Sequence, residues 1–432
     1  NVQVALALVM LACLLDPRRR LLTGFLAGTA GALMMAVGME TLPYVAAGGL
    51  IVALLFVFGD DDDRTVARGF GLGFAGVGAI AFVATVPSVS WGAAECDAYS
   101  IAQFAVAAVG GAGLALATSL GTASRTMPRR LAAMAILGIL VAVLVIIAFP
   151  QCLADPYASL DPRLKTRWLD LVNEAQPLWK IIEQNPGMAV ARYVTPLIGL
   201  VLACTAAFRR TRRREDVVVA ALLAITFAVS VWQVRGTTLA IVIAVLPLSA
   251  WIGRVRTTAT TMPSRRATLT MAAAWLASFN ITWAGAAAGA ETLFEKKPLA
   301  GETAFSACTG EKDYARLAAM PKATLLAVSN LGAPILRYSP HHVFAGPYHR
   351  NVVGNLIAID AFLGPIDRAE TIAQEHHVDF VVSCRGNDET KVFADWAPEG
   401  LAAALLKDVP PAWLELVPET RGEAVQLYKV LR

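Results

Sequence analysis

The sequence predicts an α-helical polytopic membrane bundle followed by a C-terminal α/β domain. The chain of 432 residues is 56% hydrophobic and only 16% charged, with a mean hydropathy of +0.56. These values are too apolar for a soluble domain of this length. Apolar runs long enough to cross roughly 30 Å of hydrocarbon recur from the first residue to about Gly289 and then stop. We therefore expect a transmembrane domain over residues 1–289 and a soluble extracytoplasmic α/β domain over residues 290–432.

The apolar runs predict ten membrane-spanning helices. The connectors between them are short, except for one loop at 150–193. The first run begins at Asn1 without the basic segment of a signal peptide, so we expect the chain to be a fragment that lacks its natural N-terminus. The predicted spans are 1–15, 21–39, 41–58, 69–86, 101–121, 132–149, 194–208, 217–232, 237–253 and 268–289.

The placement of arginine predicts the orientation of the bundle. Connectors on one side are rich in arginine, whereas the opposite short connectors hold Arg235 alone. Because arginine-rich connectors are cytoplasmic, the loops at 87–100, 150–193 and 233–236 and the tail after Gly289 are predicted to lie outside a bacterial-type plasma membrane. The formal charge of +4 is scattered over these connectors, which argues against a nucleic-acid partner. The arginine-rich set is Arg18, Arg19, Arg20, Arg64, Arg68, Arg125, Arg129, Arg130, Arg209, Arg210, Arg212, Arg213, Arg214, Arg254, Arg256, Arg265 and Arg266.

Four of the six cysteines fall on the predicted outer side, namely Cys96, Cys152, Cys308 and Cys384. Thiols in an oxidising compartment tend to form disulfides. Three pairings are possible. We favour Cys96 with Cys152 and Cys308 with Cys384, because each pair lies within one structural unit.

Small residues recur at four-residue spacing in GFLAG, which contains Gly24 and Gly28, and again in GFGLGFAGVG from Gly69. Such spacing permits close helix contacts, either between two copies of the chain or inside one bundle. We favour close packing inside one bundle.

The segment GDDDDR at 59–64 contains the pattern Asp-x-Asp, which in many sugar transferases holds a metal bound to a nucleotide diphosphate. The predicted topology places it on the cytoplasmic side with no other candidate residue nearby. We favour a solvated, charged turn.

Two charged residues lie in tight outer turns. Glu40 lies in METLPY, where an ionisable group at the membrane edge is costly unless it is solvated or used. Arg235 lies in WQVRG, and a guanidinium at headgroup level can bind two phosphate oxygens at once. The alternative for Arg235 is snorkelling to the interface.

The long outer loop contains RWLDLVNEAQPLWKIIEQNPG, from Arg167 to Gly187. Its apolar residues recur at three- to four-residue spacing, which predicts an amphipathic helix with a break at Pro177. Glu174 lies just before this break. A structural surface helix is the alternative to a functional role.

The tail alternates strand-like and helix-like segments. ATLLAVS, HHVFAG, DFVVSC and AVQLYKVL are predicted strands, and LGAPILRYS and NVVGNLIAIDAFLG are predicted helices. This pattern indicates an α/β domain with a parallel sheet. Ligands usually bind at the carboxyl ends of such strands, where Asn330, Tyr348, His349 and Arg350 fall.

All five histidines lie in this tail. Neighbouring residues in a strand point to opposite faces, so neither His341 with His342 nor His376 with His377 is expected to close on one metal ion. We favour surface or hydrogen-bonded histidines, and His349 has the strongest case for a site.

Two stretches resemble the catalytic subunit of oligosaccharyltransferases, in the GT-C class of integral-membrane glycosyltransferases. LVNEAQP is similar to that family's outer-loop motif SVSEHQP, with Glu174, Gln176 and Pro177 matching. Arg235 follows a valine and precedes Pro247, as does an arginine in a late membrane hairpin of the family.

A third stretch, SNLGAPILRYSPHHVFAGPYHRN, resembles the start of the family's soluble domain. There a strand ending in WWDYG is followed by a tyrosine-containing helix and a second strand, and Gly332 matches the motif glycine. AVSNLG keeps neither the tryptophans nor the aspartate of the family's sequon pocket. Recognition of a glycosylation sequon is therefore not expected.

The resemblance implies an inverting transferase that moves a sugar or oligosaccharide from a polyprenyl phosphate or diphosphate to an extracytoplasmic acceptor. Glu174 would be catalytic, holding a divalent metal, Mg or Mn, or orienting the acceptor. Arg235 would hold the donor phosphate. Glu40, Gln176, Asn330 and residues 348–350 would shape the acceptor pocket.

The family's acidic residues from its first two outer loops have no counterpart here, so we expect the chain as given to be inactive. One rival hypothesis is a protein N-oligosaccharyltransferase with a divergent sequon pocket. Another is a non-enzymatic transporter or membrane-anchored binding protein. Transporters tend to place ionisable groups in mid-span, and these spans carry almost none, which favours the enzyme.

Overall fold

The computed structural model describes residues 2–121, 126–154, 160–209, 213–294 and 308–432. Three of the predicted cytoplasmic arginines, Arg125, Arg210 and Arg212, lie outside the described residues. The described part divides into two compact units. The first contains residues 2–154 and 173–294, and the second contains residues 160–172 and 308–432.

The first unit is built of helices, most of them apolar on all sides, as is typical of helices that cross a membrane. Among the described residues, seven helices are long and apolar enough to do so, and the first two, of 13 and 17 residues, are shorter. The chain is therefore a multi-pass membrane protein. The helices are α1 (Val2–Leu14), α2 (Leu21–Val37), α3 (Leu42–Phe58), α4 (Asp61–Thr85), α5 (Ile101–Ser119), α6 (Met127–Ala148), α7 (Leu178–Gln184), α8 (Pro186–Ala207), α9 (Arg214–Trp232), α10 (Thr237–Thr261), α11 (Arg265–Ser278) and α12 (Asn280–Phe294).

The last predicted span, 268–289, is interrupted in the structure. α11 ends at Ser278, the backbone of Phe279 is extended, and α12 begins at Asn280. The Ser278 Oγ donates to the carbonyl oxygen of Ala274 at 2.7 Å. At the break, the Trp283 Nε1 donates to the carbonyl oxygen of Ala277 at 3.0 Å, which satisfies one of the carbonyl groups near the end of α11.

α2 and α4 are interlocked by glycines. A Cβ atom on Gly24 or Gly28 would lie 2.1 Å from a backbone carbonyl oxygen of α4, and one on Gly69 would lie 2.1 Å from the carbonyl oxygen of Leu21. Such distances leave no room for a side chain. The small residues are thus used inside one bundle, as the sequence predicted.

The acidic segment 59–64 contacts the arginine-rich connectors at one end of the bundle. Asp60 caps the N-terminus of α4 and accepts a hydrogen bond from Arg19 at 2.7 Å. The Asp63 side chain is only 5% exposed and pairs with Arg214 at 2.9 Å. The expected solvated turn is therefore wrong for Asp63, whose charge tolerates burial because arginines neutralise it.

The second unit contains a five-stranded sheet in the order β2-β1-β3-β5-β4. β1 pairs in parallel with β2 and β3, whereas β5 pairs antiparallel with β3 and β4. The expected parallel sheet is wrong for this second half. The connection at 417–424 is too short for a parallel crossover between β4 and β5, and β5 also runs antiparallel to β3. β4 was not predicted. The strands are β1 (Thr324–Leu326), β2 (His342–Val343), β3 (Phe380–Cys384), β4 (Leu414–Leu416) and β5 (Val425–Val430).

Helices pack on this sheet around one hydrophobic core, and part of that core comes from far away in the chain. Leu164 and Trp168, in and after a short helix at Pro162–Arg167, are buried in it. Arg163 pairs with Asp360 at 2.9 Å, which ties the same segment to the unit. The remaining helices are α13 (Ala315–Ala318), α14 (Ser329–Tyr338), α15 (Val352–Leu363), α16 (Ile366–Glu375), α17 (Asp388–Trp396) and α18 (Leu401–Leu406).

Both favoured disulfides are present. Cys96 bonds to Cys152 and joins the segment before α5 to the 3₁₀ turn after α6. Cys308 bonds to Cys384 and joins the start of the second unit's main segment to the end of β3. The predicted pairing is confirmed.

Candidate functional site

One open cavity in the first unit brings together charged and polar side chains. Its volume is about 310 Å³, and Glu174 and Arg235, which belong to two separate sequence motifs, both line it. A polar cavity of this kind suits a charged headgroup better than a hydrocarbon chain. The lining residues are Glu174, Arg192, Arg235, Thr237, Thr238, Ile241 and Asn280.

A backbone hydrogen bond joins the two motif segments. Glu174 lies in a 3₁₀ turn at Asn173–Ala175, and Arg235 lies in another at Val234–Gly236. The amide of Val234 donates to the carbonyl oxygen of Gln176 at 2.9 Å. Because Gln176 is buried, this bond is shielded from solvent and fixes the spacing of the two motifs.

The amphipathic helix predicted over 167–187 is wrong in its first half. Leu169–Leu171 and Asn173–Ala175 form separate 3₁₀ turns. After Pro177 the chain is α-helical over Leu178–Gln184, before α8 begins at Pro186. A proline pushes the preceding residue toward extended backbone, so Pro177 marks the start of α7. Glu174 is consequently presented on a tight turn, and its side chain is exposed.

A small hydrophobic cluster supports the cavity. Ile181 of α7, Tyr193 of α8 and Val234 are buried together. The Tyr193 hydroxyl donates to the carbonyl oxygen of Ser230 in α9. These contacts lock three helices and the 234–236 turn together, so that α8 holds the adjacent Arg192 at the cavity.

Arg235 is held by side chains that do not line the cavity. Its Nε donates to Gln233 Oε1 at 2.9 Å, and its guanidinium lies 3.6 Å from the carboxylate of Glu40. Gln3 Nε2 donates to that same carboxylate at 3.1 Å. Glu40, predicted for the acceptor pocket, therefore lies against Arg235, outside the described cavity lining.

Arg192 and Asn280 line the cavity, and the sequence did not single them out. The predicted span began at 194, whereas α8 begins at Pro186, so Arg192 lies inside a membrane helix. It is the only charged residue of α8, and a charge in such a helix is itself a functional signal. Asn280 lies directly after a helix break, and the hydrophobic periodicity of the sequence did not predict this break.

In the second unit, Asn330 lies at the carboxyl end of β1, where α14 begins. The buried carboxylate of Glu389 accepts hydrogen bonds from the Ser329 Oγ at 2.8 Å and from the Asn330 amide at 2.7 Å. Burial raises the pKa of Glu389 above its ordinary value, although these two hydrogen bonds oppose the rise. Glu389, which the sequence did not predict, thus occupies the N-terminus of α14.

The other predicted residues of this unit lie in a loop after β2. Asn355 holds the loop, because its Oδ1 accepts from the Gly346 amide at 3.0 Å and its Nδ2 donates to the Tyr348 carbonyl oxygen at 3.1 Å. The side chains of Tyr348 and Arg350 are exposed, and His349 is half-buried. Asn330 and this loop follow parallel strands, so they lie at the same edge of the sheet.

Gly332 has a packing reason to be glycine. A Cβ atom there would lie 2.0 Å from the carbonyl oxygen of Ala345, so any side chain would push α14 away from the loop. Among the histidines, His341 is buried. Its Nδ1 accepts from the Ala323 amide at 3.0 Å, and its Nε2 lies 2.7 Å from the Leu317 carbonyl oxygen, which agrees with a structural role.

The side chains in the described ranges do not fit a complete metal site. They contain no group of three His, Cys, Asp or Glu residues placed to hold an ion. Glu174 is the sole carboxylate in the described cavity lining, and two arginines face the same space. Mg²⁺ binds about six oxygen atoms, several of them from water, and one carboxylate beside two guanidinium groups supplies too little negative charge.

We expect Glu389→Gln to alter the pH dependence of stability. A carboxyl whose pKa is raised on folding stabilises the fold below its unfolded pKa, and that contribution is lost as pH rises through the folded pKa. Glutamine does not titrate. Its Oε1 can accept from the Asn330 amide, and its Nε2 can donate to the Ser329 hydroxyl oxygen, so both contacts are kept with the serine as acceptor. The unfolding temperature of the variant minus that of wild type should therefore rise as the pH increases above the ordinary pKa of a glutamate, by about 2–4 °C for each kcal/mol that wild type loses. Parallel pH curves in a fluorescence melt would contradict this.

Two solved structures from Archaeoglobus fulgidus are similar to this chain. One is an archaeal oligosaccharyltransferase, AglB, in complex with an inhibitory peptide and a dolichol-phosphate; it has a TM-score of 0.56 and 15% identity, and the match covers 93% of this chain and 53% of that chain. The other is an oligosaccharyltransferase complex with Zn and sulfate; it has a TM-score of 0.51 and 14% identity, and the match covers 100% and 54%.

The chain therefore has the fold of these oligosaccharyltransferases and spans about half their length. No protein-family model and no curated protein sequence matches it. At this level of identity the likeness concerns the fold, and the chemistry has to be argued from the residues in the cavity.

Proposed function

We propose that this chain is part of a GT-C glycosyltransferase that moves a sugar or oligosaccharide from a polyprenyl phosphate or diphosphate to an extracytoplasmic acceptor, with inversion. One observation carries the proposal. Glu174 and Arg235, on separate segments joined by the Gln176–Val234 hydrogen bond, line a single polar cavity. A carboxylate and a guanidinium in one cavity can act on the two ends of a displacement reaction.

The proposed reaction is a direct displacement at the anomeric carbon. The acceptor's nucleophilic atom forms a bond to that carbon while the bond from carbon to the phosphate oxygen breaks, and the electron pair stays on the oxygen. Arg235 stabilises this negative charge, and Glu174 orients the acceptor and takes its proton. Attack from the side opposite the phosphate inverts the configuration.

A lipid phosphate is a ligand class that this fold accommodates, since one of the similar structures holds a dolichol-phosphate. In this chain, the cavity offers guanidinium donors from Arg192 and Arg235 and a hydroxyl donor from Thr238. Guanidinium groups bind phosphate oxygens through paired hydrogen bonds. The chemistry of the lining therefore supports the same class of donor.

The proposed orientation puts the cavity outside the plasma membrane. The Arg19–Asp60 and Arg214–Asp63 pairs lie at the arginine-rich end of the bundle, and the Glu40–Arg235 pair lies at the other end. By the alternation of the helices, the disulfide of Cys96 also belongs to the end with Glu40, which suits an oxidising compartment.

The acceptor is the second partner of the proposed reaction. We propose that Asn330, Tyr348, His349 and Arg350 contact it, because they lie at the carboxyl-end edge of the parallel strands. The segment AVSNLG lacks the tryptophans and aspartate of a sequon pocket. We therefore propose an acceptor other than a sequon peptide.

Arg235→Ala should lower sugar transfer by about 100-fold, because it removes a donor to the charge that develops on the leaving oxygen. The assay uses membranes from cells that express the full-length protein, a radiolabelled polyprenyl-linked sugar and the native acceptors. Loss should appear mainly in the maximal rate, since Arg235 is most needed in the transition state.

The matched control is Arg254→Ala, which removes an exposed arginine from the far part of α10. We expect the control to transfer sugar at the wild-type rate. If membranes with the wild-type protein transferred no more label than membranes without it, the proposed function would be wrong. Wild-type transfer by Arg235→Ala would remove Arg235 from the mechanism.

A further inference from the structure

Arg235 does not have all of its donors available for a ligand. Its Nε is hydrogen-bonded to Gln233, and its guanidinium lies 3.6 Å from the Glu40 carboxylate. The pair is partly exposed, with side chains 33% and 46% accessible, so its strength is modest. A phosphate that binds Arg235 must nevertheless share it with a fixed carboxylate of the same sign.

Arg192 differs in this respect. Among the described residues, no carboxylate pairs with it and no acceptor takes a hydrogen bond from its guanidinium. It lies about 9 Å along α8 from Pro186, at 1.5 Å per residue, in a helix that is otherwise without charge. An unpaired cation in a membrane helix costs free energy unless an anion binds to it.

The position of Arg192 is set by packing rather than by chance. The neighbouring Tyr193 is buried in the cluster with Ile181 and Val234, and its hydroxyl donates to Ser230. Rotation of α8 would break these contacts. Arg192 is therefore kept at the cavity whether or not an anion is bound.

We propose that Arg192 is the principal ground-state anion-binding residue of the cavity, and that Arg235, restrained by Glu40 and Gln233, contributes less to donor binding. This inference rests on the proposed function. It assigns a role to a residue that neither sequence motif contains. It also gives Glu40 a role, as a carboxylate that competes with the donor phosphate for Arg235.

The test measures binding of farnesyl phosphate to the full-length protein in detergent, with farnesol as the probe that lacks the phosphate. Wild type should bind farnesyl phosphate more tightly than farnesol. Arg192→Met should weaken farnesyl phosphate binding by at least about tenfold and leave farnesol binding unchanged. Arg235→Met should weaken it by only about threefold, and Glu40→Gln should strengthen it by about twofold through Arg235 alone.

Arg192→Lys and Arg192→Gln separate charge from packing. The lysine variant should recover part of the affinity for farnesyl phosphate, and the uncharged glutamine variant should not. Arg254→Met is the matched control and should bind as wild type does. These variants keep the test informative if Arg192→Met fails to fold.

Two outcomes overturn the inference while leaving the proposed function intact. In the first, Arg192→Met and Arg192→Gln bind farnesyl phosphate as tightly as wild type does. In the second, Arg235→Met loses more affinity for farnesyl phosphate than the two Arg192 variants do. In both cases the wild-type protein still transfers sugar. If wild type did not distinguish farnesyl phosphate from farnesol, and also transferred no sugar, both proposals would fall together.

Discussion

Glu174→Gln is expected to lower sugar transfer by the full-length protein by at least about 100-fold, which is the usual contribution of a general base. Glutamine matches glutamate in size and still accepts a hydrogen bond, but it cannot take a proton. Glu174 is exposed on its 3₁₀ turn, so the change should leave folding intact. The loss should fall on the maximal rate, with the Michaelis constant for the lipid-linked donor almost unchanged.

Glu183→Gln is the control for this experiment, since Glu183 is an exposed glutamate on α7 in the same loop and does not line the cavity. It should transfer at the wild-type rate. An equal loss in both variants would point to a general effect of loop charge. Full activity of Glu174→Gln would exclude Glu174 as the base.

Removal of the Cys308–Cys384 disulfide should destabilise the second unit by roughly 2–5 kcal/mol. The two residues are separated by 76 positions, so the bond constrains a long stretch of the unfolded chain. Both are fully buried in the core of the unit. A chain with Cys308→Ala and Cys384→Ala should be cut by protease within residues 308–432 much faster than wild type.

The matched variant replaces Cys13 and Cys204, which carry free thiols in α1 and α8, by alanine. We expect its second unit to resist protease as wild type does, because neither residue belongs to that unit. Equal cleavage rates for all three chains would mean that the disulfide adds little to the stability of the unit.

The sequence was most informative where several independent patterns indicated the same topology. The arginine distribution, the apolar runs and the cysteine positions together predicted a bundle, a separate α/β unit and both disulfides. Glu174 and Arg235 were found through short motifs, and the Gln176–Val234 hydrogen bond explains why two distant motifs meet. Their roles stay predictions until the variants are measured.

Other features depended on contacts that no local pattern contains. Leu164 and Trp168 belong to the core of the second unit although their partners there begin more than a hundred residues later. Arg192 was missed because the predicted span began after it, and Asn280 was missed because the break at Phe279 was not predicted. Glu389 caps α14 from a helix late in the chain. Each depends on how elements meet in three dimensions.

The glycine contacts between α2 and α4 limit how this protein can drift in evolution. A larger residue at Gly24, Gly28 or Gly69 requires a backbone shift in the opposite helix. A single substitution at any of these positions therefore destabilises the contact between α2 and α4. α6 has no fully buried residue in its apolar window within the described residues. Met134 and Leu137 pack against the core of the bundle, whereas the other apolar positions of α6 tolerate exchange of one apolar residue for another. Sequence variation among descendants of this chain should accordingly be frequent in α6 and rare at Gly24, Gly28 and Gly69.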